Sequence, residues 1–266
     1  MMLIVLFLLV GVIAGLLAGA LGLGGGVVIV PALIFVFAGL GFPLELVAKM
    51  AVATSLSTIL VTSVSAVRTH HRAGFVRWPL VAQLSVGIVI GALLGAMIAD
   101  RLPGDWLTRL FGIFAIAVSL QMLLAGRKPP TTEAERLPRA PAMAAVGGVI
   151  GTGSALFGIG GGSLTVPFLT ACRVTMQQAV AVSSACGLPI ALAGTAGFMW
   201  VGLGHAELPS GSLGYVYLPA TLAIIVTSTP AARFSARWSH RVPAATLKRL
   251  FALVLMLIGL RLIAGL

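Results

Sequence analysis

The chain has 266 residues, of which 59% are hydrophobic and only 9% are charged, with a net charge of +11 at pH 7. A soluble domain carries about 25% charged residues, so this composition excludes a soluble globular protein and points to an integral membrane protein whose surroundings are the lipid bilayer. The positive charge does not point to nucleic acid: the basic residues sit in short loops between apolar runs, and no aromatic and basic surface is interleaved with them.

Residues 3–21 are apolar and approach the length of one crossing at about 1.5 Å of rise per residue. No Lys or Arg precedes them and no small-residue cleavage pattern follows, so they read as a retained membrane helix and not as a signal peptide. They run into Gly22-Leu23-Gly24-Gly25-Gly26, closed by Val30-Pro31. Residues 27–40 predict a short helix with Pro31 in its first turns, where proline costs least. After a turn at 41–45, residues 46–66 predict a helix rich in hydroxyls, Thr54 and Ser55 among them. The loop 68–78 is strongly basic, and Lys49 near the start of the hydroxyl-rich helix reads as a side chain reaching for the interface. Residues 79–99 predict a span in which Gly87, Gly91 and Gly95 form a small-residue face for close helix packing. The loop 100–106 and a span over 107–125 complete the first half.

The segment 126–141 is the one polar linker, broken by Pro129, Pro130, Pro138 and Pro141, and it separates two membrane repeats at 1–125 and 142–266. Residues 142–157 lead into a second break, Gly158-Ile159-Gly160-Gly161-Gly162, closed by Val166-Pro167. Residues 163–172 are short, about 15 Å as helix. Residues 177–200 predict a long segment interrupted by Gly187 and Pro189, followed by the loop 201–212, a span over 213–229, the basic loop 230–249 and a last span over 250–265. Cys172 and Cys186, the only cysteines, read as small packing residues.

The halves align beyond the glycines. Gly74-Phe75-Val76-Arg77-Trp78-Pro79 matches Gly214-Tyr215-Val216-Tyr217-Leu218-Pro219, Asp100-Arg101-Leu102-Pro103 matches His240-Arg241-Val242-Pro243, and Arg109-Leu110-Phe111 matches Arg249-Leu250-Phe251. The matches are collinear, which makes an internal repeat the expectation. Charge orients the copies. The loop before the Pro79 span is basic and the one after it is not, whereas the order is reversed around the Pro219 span. By the positive-inside rule, 68–78, 126–141 and 230–249 face the cytoplasm and 100–106 and 201–212 face outward, so the repeats are expected to be inverted. The fold class that follows is an all-α polytopic membrane protein, each repeat holding a broken or re-entrant helix pair plus three spans. Charge does not separate full crossings from re-entrant ones.

Each break starts a short helix at membrane depth, whose first N–H groups lack intrahelical partners and whose dipole end is positive. Glycines let a ligand approach those groups, which describes an anion site made from backbone. The candidate substrate-binding residues are therefore Gly22, Gly24, Gly25, Gly26 and Pro31 in the first half, with Gly158, Gly160, Gly161, Gly162, Ser163 and Pro167 in the second. Thr54-Ser55 and Ser183-Ser184 fall at comparable places after the breaks and are added as further donors. Helix packing and bonding of hydroxyls to their own helix are the competing accounts of these residues. The four histidines read as loop residues. No carboxylate lies well inside a span, so no acidic proton relay is visible. A dinucleotide reading of the first break fails because Val27 stands where the last glycine belongs. No catalytic, metal or cofactor constellation appears, which argues against an enzyme.

Two halves that each carry Gly-x-Gly-Gly-Gly, then Val-Pro, then a Thr-Ser or Ser-Ser helix resemble the sulfite exporter TauE/SafE family. The resemblance covers nearly the whole chain. It implies a membrane transporter that moves a sulfur-containing anion such as sulfite, sulfoacetate or another organosulfonate across the bacterial inner membrane, here by alternating access. Ser163 replaces Val27 and Ser183-Ser184 replaces Thr54-Ser55 between the halves, so the site is expected to be chemically asymmetric. The alternative is a non-transporting membrane scaffold or assembly partner. A homo-oligomer is left open.

Overall fold

The computed structural model describes residues 2–21, 25–124, 135–205, 207–238 and 244–265. The first half contributes α1 (Met2–Leu21), α2 (Gly26–Gly39), α3 (Leu44–Arg72), α4 (Trp78–Arg101) and α5 (Gly104–Leu124). The second half contributes α6 (Ala140–Leu156), α7 (Gly162–Ala171), α8 (Met176–Gly202), a hairpin of β1 (Ser212–Leu213) and β2 (Val216–Tyr217), then α9 (Leu218–Trp238) and α10 (Ala244–Ala264). Among the described residues, four helices, α3, α4, α5 and α8, are long and apolar enough to cross a membrane. The result is the expected all-α polytopic membrane protein.

Packing exchanges helices between the halves. The most extensive contacts are α4 on α6 and α1 on α9, followed by α5 on α10 and α8 on α4 and α3. Small residues make the first two crossings close. Gly87 and Gly91 of α4 face Ala144 and Gly148 of α6, and Gly95 faces Thr152, at distances no Cβ would permit. Thr152 Oγ1 donates to Gly91 O across the crossing at 3.0 Å. Gly11 and Gly15 of α1 face Ile224 and Ser228 of α9 in the same way, and Thr227 Oγ1 donates to Leu8 O at 3.1 Å. Where α5 crosses α10, Gly112 meets Gly259, and Ser119 Oγ donates to Ala252 O at 2.6 Å. Gly112 and Ala252 hold equivalent places after the matched Leu-Phe pairs, so the two contacts exchange equivalent positions.

The broken pairs are helical hairpins that return to the end where they began. Phe7 near the start of α1 lies 6.1 Å from Phe37 near the end of α2, and both rings meet Tyr217 before α9. Arg136 N before α6 donates to Cys172 O just after α7 at 3.0 Å. Glu135, next to that contact, pairs with Arg77 before α4 at 2.7 Å. Asp100 at the end of α4 meets Tyr215 before α9, so α4 starts at one end of the bundle and α9 at the other. The α1–α2 and α6–α7 hairpins therefore open at opposite ends. At 14 and 10 residues, α2 and α7 are about 21 and 15 Å long, short of the ~30 Å hydrocarbon core.

Four sequence expectations are corrected, the first being the basic loop 230–249, most of which is helical because α9 runs to Trp238 and α10 begins at Ala244. The helix expected to end at 66 continues to Arg72, so the basic stretch is partly helical. Gly187 and Pro189 do not interrupt α8, which is continuous from Met176 to Gly202. Gly187 is where Gly160 O packs against it, and a proline is tolerated in a helix held by neighbours on several sides. The span expected from 213 begins at Leu218, because Gly211 (φ +89°) and Gly214 (φ +54°) turn the preceding residues into the β1–β2 hairpin. Much of the linker, 125–134, lies outside the described residues. Cys172 and Cys186 are buried and free, as expected.

Replacing Gly91 by valine sets a branched side chain against Gly148 O. It is expected to destabilise the purified protein by about 1–3 kcal/mol, the usual cost of overpacking. Gly39→Ala, whose Cβ enters open space, is expected to leave the melting temperature unchanged or raise it. Thermal melting in one detergent compares the two.

Candidate functional site

The two glycine breaks meet. A side chain on Gly26 would collide with Gly158 O and the Ile159 backbone. Gly158 has φ +63° and is closed in by Val30 and the Val52 backbone, so it is confined to glycine by both conformation and space. Its carbonyl accepts Ser55 Oγ at 2.8 Å. Val52 to Ser55 lie about 12–17 Å along α3 from its first residue, close to half the thickness of a hydrocarbon core. Gly22 and Gly24 lie outside the described residues. Gly25 caps α2, its carbonyl accepting from Val28 and Ile29.

The second break is the more open in conformation. Gly161 is left-handed at φ +77° and caps α7, with its carbonyl taking the N–H groups of Leu164 and Thr165. Gly162 and Ser163 supply N–H groups with no intrahelical acceptor at that end. Gly160 packs near Ile59, and its carbonyl lies against Gly187. One face of α8, formed by Ser183, Gly187, Ile190 and Gly194, looks onto this region at helical spacing: Gly187 and Ile190 meet Gly160 and Gly161. Pro31 and Pro167 lie in the second turns of α2 and α7. Each lacks an N–H, which leaves the carbonyls of Val27 and Ser163 without their intrahelical donors.

The hydroxyls nearest the two breaks divide by half. In the first half they are used by the structure. Thr54 Oγ1 accepts the Tyr217 N–H at 3.0 Å, Ser55 bonds Gly158 O, and Ser57 meets Thr221 at 2.8 Å. In the second half Ser154, Ser163, Thr165 and Ser183 are all at most 8% exposed, and their oxygens have no partner. Thr165 Oγ1 and Ser154 Oγ flank the bare Cα of Gly161. Ser184 donates to Val180 O of its own helix at 2.9 Å, which is the competing account of such a hydroxyl. No cluster of three or more metal-ligating residues occurs among the described residues.

A second polar group, which sequence reasoning missed, lies at the end where α4 finishes. Lys49 is only 8% exposed. Its Nζ donates to Asp100 O at 2.6 Å, capping the C-terminal carbonyls of α4. Tyr215 Oη donates to Asp100 Oδ1 at 2.6 Å and lies 3.1 Å from His205 Nε2. Burial first, then the Asp100 hydrogen bond and charge, hold the Tyr215 phenol well above its ordinary pKa. The only sequence signal for this group was that its members fall at loop ends assigned by charge to one side.

A bundle with paired backbone breaks at depth, wrapped in apolar helices, is a polytopic membrane protein of the transporter kind. The chain belongs to the sulfite exporter TauE/SafE family, whose model matches residues 7–262. It is 35% identical over 97% of its length, and 97% of the relative's, to a protein of Haemophilus influenzae named "Probable membrane transporter protein". Similar proteins with that designation occur in Methanocaldococcus jannaschii, at 27% identity over 98% of this chain and 95% of the relative, and in Bacillus subtilis, at 27% over 97% of both. No solved structure matches. The protein is a multi-pass membrane transporter.

Thr54→Val strands the buried Tyr217 N–H and is expected to cost about 1–3 kcal/mol of stability. Ser183→Ala removes a hydroxyl that bonds nothing and is expected to cost nothing or to stabilise. Melting curves of the ligand-free variants separate the structural hydroxyls from the others.

Proposed function

We propose that the protein is a secondary transporter that moves a small sulfur-containing anion, such as sulfite, sulfoacetate or another organosulfonate, by alternating access. The substrate is held at the start of α7. The observation that carries this reading is that, among the buried hydroxyls without a partner, Ser154 and Thr165 flank Gly161, Ser163 follows the glycines in α7, and Ser183 lies one turn before Gly187 on the α8 face. Leaving a buried hydroxyl unpaired costs about 1–3 kcal/mol. A ligand rich in hydrogen-bond acceptors would satisfy several of them at once, and the positive end of α7 with its free N–H groups selects an anion. Sulfur is favoured by the description of the family, a sulfite exporter.

Hairpins opening at opposite ends support reading the halves, 1–125 and 142–266, as inverted repeats joined by the linker 126–141. The basic loops favour a cytoplasmic Arg77–Glu135 end, with the protein read as one of the bacterial inner membrane. Gly25, Gly26, Pro31, Thr54 and Ser55 then act as the frame of the site, while Gly158, Gly160, Gly161, Gly162, Ser163, Pro167 and Ser183 form its ligand side. In alternating access, the α1–α2 and α6–α7 hairpins part in turn around a substrate near mid-depth. No cofactor or nucleic acid enters this scheme.

A thermal-shift screen of the purified protein against sulfite, sulfate, thiosulfate, sulfoacetate, taurine and carboxylates tests it, since binding to the folded state raises stability. A sulfur oxyanion is expected to stabilise the wild type. Ser163→Ala and Thr165→Val are each expected to weaken that binding roughly tenfold, the loss of one hydrogen bond to a charged group, and to reduce flux in proteoliposomes likewise. Full stabilisation and flux in the double variant would sink the site assignment.

A further inference from the structure

The β1–β2 hairpin stands between the candidate site and the end of the bundle where α4 finishes. Its residues Tyr215, Val216 and Tyr217 are buried. Its far side holds the site frame, through the Tyr217 N–H on Thr54 Oγ1. Its near side is held by Asp100. Gly214 is wedged against the Met199 backbone, and Gly202 against Tyr215 N, so the hairpin sits on the last turns of α8. Apart from those backbone contacts, the hydrogen bond from Tyr215 Oη to Asp100 Oδ1 is the side-chain fastening that ties the hairpin to α4.

That fastening depends on charge. An ionised carboxylate only accepts hydrogen bonds, so Tyr215 must give it its one proton, and His205 Nε2 must then donate to Tyr215 Oη. A hydrogen bond to a charged acceptor is roughly twice as strong as one between neutral groups. Asp100 also lines a surface pocket of about 220 Å³ with Met97, Arg101, Trp200 and Val201, so water and protons reach it without passing through the protein. The charged and titratable groups facing it are Lys49 from α3, Arg101 beside it on α4, and Tyr215 and His205 after α8. From α8 the pocket receives Trp200 and Val201, which carry no charge.

We propose that Asp100 is a proton-binding site: a proton taken up there from the pocket neutralises the acceptor of Tyr215, loosens the hairpin and frees Thr54 at the edge of the candidate site. One proton is bound and no covalent bond is otherwise changed. While Asp100 is ionised, His205 Nε2 is the donor to Tyr215 Oη. Lys49 is bound to the Asp100 main-chain carbonyl, so changing the Asp100 side chain leaves the cap on α4 in place. The link from this opening to anion movement rests on the transport reading above.

Hydrogen–deuterium exchange and infrared titration of the full chain in lipid nanodiscs test the proposal without any ligand. The chain has six acidic residues, which keeps the carboxyl region simple. On acidification the wild type is expected to gain a carboxylic-acid band that Asp100→Asn lacks and Tyr215→Phe shifts. Protection of the hairpin amides, corrected for intrinsic rate, is expected to fall severalfold, as for a hydrogen bond to a charged group weakened to one between neutral groups. Asp100→Asn should show that low protection at every pH. His205→Gln, which keeps a donor but does not titrate, should retain the wild-type pH dependence. A titrating band unchanged in Asp100→Asn, hairpin protection indifferent to pH in the wild type, or pH dependence lost in His205→Gln would overturn the assignment. Flux of methanesulfonate, which stays ionised throughout, tests transport separately: its absence counts against the transport reading, while the exchange and infrared results still decide the proton site.

Discussion

The backbone of Gly26 lies against the carbonyl of Gly158, and no side chain fits between them. The remaining structure is arranged to make that contact tolerable. In a bilayer, irregular backbone survives at depth only where protein or a water-filled cavity covers it. Here α3 supplies the cover, with Val52 closing on Gly158 and Ser55 donating to its carbonyl. The glycine-lined crossings of α4 on α6 and α1 on α9 bring the two hairpins close enough for their tips to touch. Without small residues at Gly87, Gly91, Gly11 and Gly15, the helices would stand further apart.

One consequence of meeting at the centre is a division of labour. The first break spends its polar groups on structure, through Ser55 and the α2 cap. The second keeps its hydroxyls unpaired around a left-handed glycine. The proposed inverted repeat does not require chemical symmetry at its centre. One half can serve as the frame and the other as the ligand side, provided the frame holds the ligand side in place. The fastening of Tyr217 to Thr54 extends that frame outward to the hairpin, and Asp100 extends it to the end of α4.

Much of the fold was legible in the sequence because membrane solvation is a coarse, strong constraint. The apolar runs and the Gly87-Gly91-Gly95 face follow from it, whereas the basic stretches at 68–72 and 230–238, expected as loops, continue as helix. The β1–β2 hairpin was not, since Val216-Tyr217-Leu218 continues smoothly into α9 and apolarity does not distinguish a buried hairpin from a first helical turn. Gly211 and Gly214, three residues apart, were the available signal. The asymmetry of the hydroxyls was anticipated only as a difference in residue type. Which of them are occupied depends on a Tyr217 N–H and a Gly158 carbonyl contributed by distant sequence. Lys49 looked like a side chain bound for the interface because the helix end that it caps, at Asp100, belongs to a different span.

The exchange of helices also constrains how the protein is made. The glycine face of α1 finds its partner only when α9 arrives, and that of α4 only when α6 does. Until then Gly11, Gly15, Gly87 and Gly91 present backbone to lipid with little side-chain cover. Among the first five helices, α1, α4 and α5 therefore enter the membrane before their main packing partners exist, and their native arrangement is assembled after insertion. A nascent chain of this design has a long interval in which insertion is complete and packing is not.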